Sequence, residues 1–377
     1  MSSQEQLDKY LHFLETDPHN VRLLADIANC AYNLGQFEVA ERYATTGLTY
    51  DPDQTGLLST KALSILAMGH PDEASKIFKD LMDAGENDPA LRYNLAYCYA
   101  LINQYDEALA VLADALDRYV DFPQMLHLKM RTLYFMGDLE TALQIGQQAI
   151  ESNPNDAIVH ELMASLYIDE SNFAAARHHA DLAIRINPNR ALAHTSSGTV
   201  ALGSNDDQAA QMHFNQALDI NPKDGRAWLG KALTLMLQKN LSEAESAFHH
   251  AIELMPSHLG TYQALAWCQI TQHKLQDAEN TTKQALAIDD TFSENHGTLA
   301  VLAVLQGNHA LAKTEIRTAL GLDKNSFSGL YAQALQLQTQ GDSEWDQKII
   351  DGMLDTPGAL NQQSLREFLM QHMQKTK

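Results

Sequence analysis

Cysteines, basic residues and long apolar runs are all scarce in this chain of 377 residues. Its three cysteines, Cys30, Cys98 and Cys268, lie far apart. Such an odd, scattered set argues against a disulfide framework and fits a reducing compartment. No apolar run reaches the roughly 18 residues that a transmembrane helix needs. The N-terminal segment has neither the basic region nor the apolar core of a signal peptide. We therefore expect a cytoplasmic protein without a membrane span.

Positive charge is also in short supply, since 26 lysines and arginines stand against 48 aspartates and glutamates, for a formal net charge of −22. Such a charge repels a phosphate backbone, because binding to nucleic acid needs clustered basic residues. It favours a protein or peptide partner whose binding segment is basic or apolar. Glycine (19) and proline (10) are too few for a disordered or collagen-like chain, and a hydrophobic content of 45% is enough for a continuous core.

The motifs of common catalytic and metal sites are missing as well. The chain has no Gly-x-Ser-x-Gly elbow, no phosphate-binding P-loop, no His-Glu-x-x-His helix and no paired Cys-x-x-Cys knuckles. Two pairs of adjacent histidines, 178–179 and 249–250, suggest a metal. However, neighbours on a helix point about 100° apart, and no carboxylate cluster completes either site. We expect solvated or partly packed surface there, and hence no enzyme, no metal and no cofactor.

What the sequence does contain is a repeat of 34 residues. Prolines mark it at positions 18, 52, 154, 188, 222 and 256. The position twelve residues before each mark is alanine in nine successive units: Ala40, Ala74, Ala108, Ala142, Ala176, Ala210, Ala244, Ala278 and Ala312. Two further columns, 24 and five residues before the mark, are also small in most units. Because no insertion or deletion interrupts this register from Val21 to Ser326, the repeat predicts one regular architecture.

Helix packing explains these columns. Each unit contains two amphipathic helical patterns joined by a short polar turn. In the fifth unit, Leu162 and Leu166 mark the first helix, whereas Ala176 and Ala180 mark the second. Small residues let two antiparallel helices approach closely where their axes cross. The closing Asn-Pro ends the second helix, because the residue before proline is pushed out of the α region. One pair cannot bury its apolar face alone, so the units must stack.

This column pattern resembles the tetratricopeptide-repeat (TPR) family, and its bacterial members most. The family's unit of 34 residues has small residues at its eighth, twentieth and twenty-seventh places and proline at its thirty-second. The resemblance implies an all-α fold, a right-handed α-solenoid of antiparallel helix pairs (TPR superhelix). On that template nine TPR repeats occupy residues 21–326, namely 21–54, 55–88, 89–122, 123–156, 157–190, 191–224, 225–258, 259–292 and 293–326.

The two ends fit the role of caps. Residues 1–20 predict an N-terminal capping helix, formed by residues 3–16. Residues 327–377 predict a degenerate tenth repeat followed by a C-terminal capping helix. The apolar stripe of that last helix consists of Leu365, Phe368, Leu369 and Met373. A polar outer face on a terminal helix closes a solenoid against water.

The resemblance also implies where a partner binds, since the family lines a concave groove with the second, fifth, ninth, twelfth and thirteenth places of each unit. In the N-terminal repeats these places carry polar and aromatic groups: Arg22, Asn29, Tyr32, Asn33, Tyr93, Tyr97, His127, Arg131, Tyr134 and Phe135. In the C-terminal repeats they carry apolar groups: Leu229, Leu233, Met236, Leu237, Trp267, Ile270, Val301, Val304 and Leu305. The alternative for any one of them is a core position against a neighbouring first helix.

The predicted function is that of a non-enzymatic scaffold or adaptor that binds a peptide or helix in the groove. Polar-aromatic groups suit an extended peptide, and an apolar trough suits a helix. The family's carboxylate clamp for chaperone tails is not expected, because no consecutive units supply its lysines and asparagines. Two alternatives stay open. The chain is a structural protein that forms homo-oligomers through its terminal helices, or it is the regulatory subunit of a separate enzyme.

Overall fold

The computed structural model of the chain describes residues 3–118 and 122–340. These residues contain twenty α-helices and no β-strand, so the all-α solenoid of antiparallel helix pairs that the sequence predicts is confirmed. The helices belong to two compact units, Met1–Pro154 and Asn155–Lys377, called the N-terminal and the C-terminal unit.

The described part of the N-terminal unit consists of a first helix and four helix pairs. Their bounds are α1 Ser3–Thr16, α2 Val21–Asn33, α3 Phe37–Leu48, α4 Thr55–Ala67, α5 Pro71–Asp83, α6 Pro89–Leu101, α7 Tyr105–Arg118, α8 Pro123–Met136 and α9 Leu139–Ser152. Each helix packs on the next one along the chain, and the even-numbered helices also pack on one another.

The described part of the C-terminal unit contains five helix pairs and one further helix. Their bounds are α10 Ala157–Asp169, α11 Phe173–Ile186, α12 Ala191–Gly203, α13 Asp207–Ile220, α14 Gly225–Leu237, α15 Leu241–Leu254, α16 Leu259–Thr271, α17 Leu275–Ile288, α18 Ser293–Leu305, α19 His309–Leu322 and α20 Phe327–Gln340. In both units the even-numbered helices are the first helices of their pairs. Because each short loop reverses the chain, successive first helices run parallel to one another.

A left-handed residue ends every first helix from α2 to α18. The fifteenth place of each repeat has a φ between 57° and 88°, and it is occupied by Gly35, Gly69, Asn103, Gly137, Ser171, Asn205, Lys239, His273 and Gly307. Glycine and asparagine adopt this conformation at little cost, whereas lysine and histidine do not. The same turn therefore forms in every repeat even where the side chain disfavours it.

The alanine column forms the interior of the pairs. All nine alanines, from Ala40 to Ala312, are fully buried. Two of the cysteines, Cys98 and Cys268, are also fully buried, and Cys30 is partly buried. Burial raises the pKa of the Cys98 thiol to about 12. All three cysteines lie at the tenth place of their repeats, where they act as small apolar packing groups.

A recurring hydrogen bond links consecutive repeats in the C-terminal unit. The side chain at the fourth place donates a hydrogen bond to the backbone carbonyl at the thirty-second place of the preceding repeat. Trp228 Nε1 donates to the Pro222 oxygen at 2.9 Å, and Tyr262 Oη donates to the Pro256 oxygen at 3.0 Å. His194 Nε2 makes the equivalent contact with the Pro188 oxygen at 3.0 Å. Each bond fixes the loop that closes a repeat and leads into the next first helix.

The ends of the chain are only partly described. Helix α1 buries Leu7 against α2, with Tyr10, Leu11 and Leu14 packed around it. The predicted C-terminal capping helix and its stripe of Leu365, Phe368, Leu369 and Met373 lie outside the described residues. The division into nine repeats and two caps stays a prediction.

Candidate functional site

A pocket of about 310 Å³ opens on the first helices of the first three repeats of the C-terminal unit, near the middle of the sequence. We call it the central pocket. It spans α10, α12 and α14 and ends at the residue that precedes α16. Its lining consists of Ser165, Ile168, Asp169, Leu192, Thr195, Ser196, Thr199, Leu202, Phe214, Arg226, Leu229, Gly230, Leu233 and His258.

Most of these residues occupy the places that the family resemblance assigns to the groove. Leu192 and Arg226 are at the second place, Thr195 and Leu229 at the fifth, and Ser165 at the ninth. The pocket therefore lies on the face where a TPR groove is expected.

The pocket exists because several side chains around it are small. The ninth place is Ser165 in one repeat and Thr199 in the next, whereas it is leucine in the repeat that follows them. The floor is the ring of Phe214, which is fully buried and lies directly against Gly230. A Cβ atom added at Gly198 would come within 2.7 Å of the same ring. The two glycines thus make room for a ring that closes the bottom of the pocket.

Its walls are apolar, and the polar groups between its two ends are hydroxyls. Leu192, Leu229 and Leu233 are partly buried and form the sides. The Thr199 hydroxyl donates to the Thr195 carbonyl at 3.0 Å, within its own helix. Apolar walls with a few polar groups are typical of sites that hold a side chain or a small ligand.

The two ends of the pocket carry opposite charges. Asp169 is exposed at the C-terminal end of α10, whereas Arg226 is exposed at the N-terminal end of α14. Because the first helices run parallel, these termini lie at opposite edges of the helix layer. His258 adjoins Arg226, and its pKa is lowered by partial burial of the ring and by the nearby guanidinium.

Two side-chain contacts hold the first helices of the pocket together. Arg190 donates from Nε and Nη2 to the two carboxylate oxygens of Glu161, at 2.7 and 2.6 Å. This bond raises the pKa of Arg190. The Thr195 hydroxyl donates to Asp224 Oδ2 at 2.8 Å. A bidentate pair and a second charged hydrogen bond between neighbouring repeats make this part of the surface well fixed.

Two of the predicted groove residues, Leu229 and Leu233, line the central pocket. Met236 is partly buried in the cluster of α14 and α15. Val301 is fully buried in a cluster with Ile316 and Ala332. The partly buried side chains of Trp267 and Ile270 pack against this cluster. Whether these side chains contact a partner stays a prediction.

Helix α20 covers the C-terminal part of the predicted trough. The rings of Phe327 and Tyr331 lie 6.4 and 5.6 Å from the Trp267 ring, between centroids. Gln263 Nε2 donates to Ser328 Oγ at 2.9 Å. Glu294 accepts from the backbone N–H groups of Phe327 and Ser328 at 2.7 and 2.9 Å. Three successive first helices therefore close on one another here, and the central pocket is the open part.

The predicted residues of the N-terminal unit form an aromatic group. Tyr93 and Tyr97 are stacked with ring centroids 6.1 Å apart, and the Phe122 ring makes an edge contact with Tyr93 at the same centroid distance. Burial raises the pKa of Tyr93, and the charge of Arg131 opposes that rise. His127 is buried.

The other predicted residues of this unit are more scattered. Tyr134 contacts the exposed Phe135, and Tyr32 packs on Phe37. Arg22 and Asn29 are exposed, and Asn29 Oδ1 accepts from Thr60 Oγ1 at 2.7 Å.

A second opening of about 340 Å³ lies between α4 and α6, and we call it the N-terminal hollow. It is lined by Thr55, Gly56, Ser59, Leu63, Phe78, Leu81, Glu86, Asp88, Ala90, Leu91 and Asn94. Two of these are acidic, and neither arginine nor lysine is among them. None of the predicted groove residues lines it.

Sequence reasoning missed the first two repeats of the C-terminal unit, where most of the pocket lies. The available signal was the ninth-place column, which shortens to a serine and a threonine in two consecutive repeats. When the same groove place carries a short side chain in two consecutive repeats, it indicates a hollow in the surface.

Histidines of these same repeats form close pairs. The Nδ1 atoms of His160 and His179 are 2.9 Å apart, and those of His194 and His213 are 3.3 Å apart. Burial, with the neighbouring His160 and His178, lowers the pKa of His179 to about 4. Burial and His194 likewise lower the pKa of His213. Among the described residues, no cluster of three or more histidines, cysteines or carboxylates is placed to hold a metal ion.

A family model described as the tetratricopeptide repeat matches residues 66–131 and 201–266 of the chain. These matches fall on helix pairs that share one frame of 34 residues. These two segments of the chain are therefore similar to tetratricopeptide (TPR) repeats. Proteins of this family generally act as scaffolds for protein–protein interaction. The bacterial origin of the chain stays a prediction. No helix in the described part of the chain is long and apolar enough to cross a bilayer.

Known proteins resemble this chain at low identity. The BBSome complex member BBS4 of Bos taurus is 23% identical over 123 residues, which is 32% of this chain. The match spans only 23% of that relative's length.

Among solved structures, the APC/C hetero-tetramer Cut9–Hcn1 contains a chain with a TM-score of 0.49 at 13% identity, over 91% of this chain and 88% of that one. A TPR protein from Parabacteroides merdae ATCC 43184 gives 0.47 at 18% identity, over 69% of this chain and 98% of that one. YrrB, described as a TPR protein with an unusual peptide-binding site, gives 0.40 at 19% identity, over 50% and 97% of the two chains.

Proposed function

We propose that this chain is a non-enzymatic scaffold or adaptor that binds a peptide or helix of another protein along its first helices. The observation that carries the proposal is the central pocket, because its lining comes from the groove places of three successive repeats. Apolar walls with a few small hydroxyl groups suit a side chain of a partner.

The size of the pocket is sufficient for one part of a protein ligand. Ligand pockets usually enclose about 300–1,000 Å³, and the central pocket lies at the lower end with about 310 Å³. That space holds one large side chain and a short stretch of backbone. The rest of a bound segment would lie across the first helices on either side of the pocket.

Filling the pocket tests this proposal. The full chain is used to select binders from a phage-displayed library of random peptides, and their affinities are measured by fluorescence anisotropy. We expect saturable binders, and we expect Thr199→Trp to weaken them by at least about tenfold, because the indole takes the space of the bound side chain.

Thr314→Trp is the matched control. Thr314 is exposed on α19, and its hydroxyl donates to the Ala310 carbonyl at 3.2 Å, as the hydroxyl of Thr199 does to Thr195. The control is expected to bind as the wild type does. A library that yields no saturable binder, or equal binding by both tryptophan variants, would refute the proposal. Circular dichroism shows whether each variant is folded.

The alternative of self-assembly through the terminal helices stays a prediction, because the apolar stripe of the last helix, which suggests it, lies outside the described residues. The role of regulatory subunit stays a prediction as well. Light scattering of the full chain and of a chain that ends before residue 359 decides the first of these.

A further inference from the structure

Helix α20 does not continue the stack as the other first helices do. It packs more extensively on the first helix α18 than on the second helix α19 that precedes it. The opposite holds for first helices earlier in the chain, which pack more on the second helix before them, namely α4, α6, α8, α12, α14, α16 and α18. Helix α20 is therefore displaced towards the face on which the first helices carry the groove places.

Five residues that contact α20 occupy groove places, and we call them the C-terminal trough. They are Gln263 and Trp267 at the fifth and ninth places of one repeat, and Glu294, Gly297 and Val301 at the second, fifth and ninth places of the next. Two of them form hydrogen bonds with the first turn of α20, and the other three pack against it. Helix α20 thus lies where the family resemblance expects a partner.

Glu294 binds the N-terminus of α20. The first N–H groups of a helix have no acceptor within it, so a carboxylate beside them is stabilising. The carboxylate of Glu294 accepts from the N–H groups of Phe327 and Ser328 at 2.7 and 2.9 Å. The next N–H group, that of Gly329, donates to Ser326 Oγ at 3.2 Å. Because Glu294 contacts the backbone, any helix that begins at this point can make the same two bonds.

The side chains of α20 show which helix fits the trough. Phe327 and Tyr331, at the first and fifth positions of α20, contact the ring of Trp267. The second and third positions are a serine and a glycine. A Cβ atom added at Gly297 would overlap the backbone at these two positions, so the two helices touch there. The trough therefore selects aromatic residues at the first and fifth positions and small residues between them.

The contact between α20 and the trough is incomplete. Phe327 and Tyr331 each remain 37% exposed. Gln263 Nε2 donates to Ser328 Oγ, but Gln263 Oε1 is buried and has no hydrogen-bond partner among the described residues. A buried polar atom without a partner costs free energy. Helix α20 thus leaves one polar group of the trough unsatisfied, which favours its exchange for another helix.

We propose that the C-terminal trough is a binding site for the N-terminal half of a helix, which α20 occupies within the same chain and from which a partner helix displaces it. The partner is an amphipathic helix with aromatic residues at its first and fifth positions and small residues at its second and third. Helix α20 competes with it, because a short loop holds α20 at a high effective concentration. The inference concerns a surface other than the central pocket and does not rest on that pocket.

A labelled peptide of residues 325–340, added to the full chain, tests the proposal by fluorescence anisotropy. Ser328→Asp is the release variant. It places a second carboxylate beside Glu294 at a fully buried position of α20 and leaves the trough itself unchanged. We expect this variant to bind the peptide at least about tenfold more tightly than the wild type, in which α20 holds the trough.

Thr339→Asp is the matched control, because it adds the same charge at an exposed position near the other end of α20. It is expected to bind the peptide as the wild type does. Trp267→Ala, added to the release variant, should remove the gain, since it takes away the ring that the peptide contacts. Thr199→Trp, added in the same way, should leave the gain unchanged, because it fills the central pocket.

Circular dichroism shows whether each variant is folded. If Ser328→Asp is not, Phe327→Ala/Tyr331→Ala serves as the release variant, because both rings are partly exposed, and a gain of about threefold is expected. The proposal is overturned if a folded release variant binds the peptide no more tightly than Thr339→Asp. It is also overturned if Trp267→Ala leaves the gain intact or if Thr199→Trp removes it. None of these outcomes decides whether library peptides bind in the central pocket.

Discussion

The two units present different surfaces on the same repeat. In the N-terminal unit, the first helices carry a stacked aromatic group around Tyr93 and Tyr97, and the N-terminal hollow beside them is acidic. In the C-terminal unit, the first helices carry leucines and small hydroxyl groups around the central pocket, and α20 covers the rest of the predicted trough. The alanine column is equally buried in both.

This difference shows how a repeat protein separates stability from specificity. The buried columns set the distance between helices, and they change little from one repeat to the next. The ninth place of each repeat does not set that distance, so its residue type can vary. It is Asn29 or Tyr97 in the N-terminal unit, and Thr199 or Trp267 in the C-terminal unit. Short side chains at the ninth place of two consecutive repeats are enough to leave a pocket between the first helices.

The largest effect is expected where the C-terminal unit closes its own groove. At Gly297 an added Cβ would lie 2.6 Å from the backbone carbonyl carbon of Ser328, which cannot rotate away. Gly297→Ala should therefore separate α18 from α20 and lower the free energy of unfolding by about 3 kcal/mol. Urea denaturation measures the change.

Gly321→Ala is the control for that substitution. Gly321 lies in α19 and has no atom within 4 Å of the added Cβ. This variant should gain stability by about 0.5–1 kcal/mol, because alanine is the better helix former. Equal stability of the two variants would show that the close approach of α18 and α20 does not hold in solution.

A smaller effect is expected on the pH dependence of stability, which should differ between the two units. The fourth and twenty-third places hold histidines in two repeats of the C-terminal unit, as in His160 with His179, whereas the repeats of the N-terminal unit hold no histidine at either place. The folded pKa of His179, about 4, lies below its unfolded value of 6.5. The unfolded chain thus binds the proton first, so stability is present above pH 6.5 and falls as the pH drops from there towards about 4.

The expected size is modest. After allowance for screening of a half-buried ring, His179 accounts for a loss of about 1 kcal/mol between about pH 7 and about pH 5. His179→Gln should reduce that loss, whereas His249→Gln, at an exposed position, should not. Hydrogen exchange at the two pH values should place the acid-sensitive helices in the C-terminal unit. Uniform loss of protection in both units would contradict the assignment to the histidine pairs.

Much of the fold follows from the sequence because it depends on spacing alone. The alanines from Ala40 to Ala312 predict close helix pairs, and these residues are buried as that packing requires. The site follows less well. Trp267 lies under α20 because Gly297 lets two backbones approach, and spacing does not reveal such a contact. The central pocket depends on the joint size of Ser165, Thr199 and Gly230 around Phe214, which only the packed helices show.

The smallest effect tests whether the turn is the same element in both units. Lys239, in the C-terminal unit, has a φ of 65°, whereas the equivalent Gly137 of the N-terminal unit has a φ of 80°. A left-handed residue with a side chain is strained, so Lys239→Gly should gain about 0.5–1 kcal/mol and Gly137→Ala should lose about as much. Thermal and urea denaturation measure both. If Lys239→Gly lost stability, the greater freedom of glycine in the unfolded chain would outweigh the strain, and the turn would depend on the lysine side chain for more than its backbone angle.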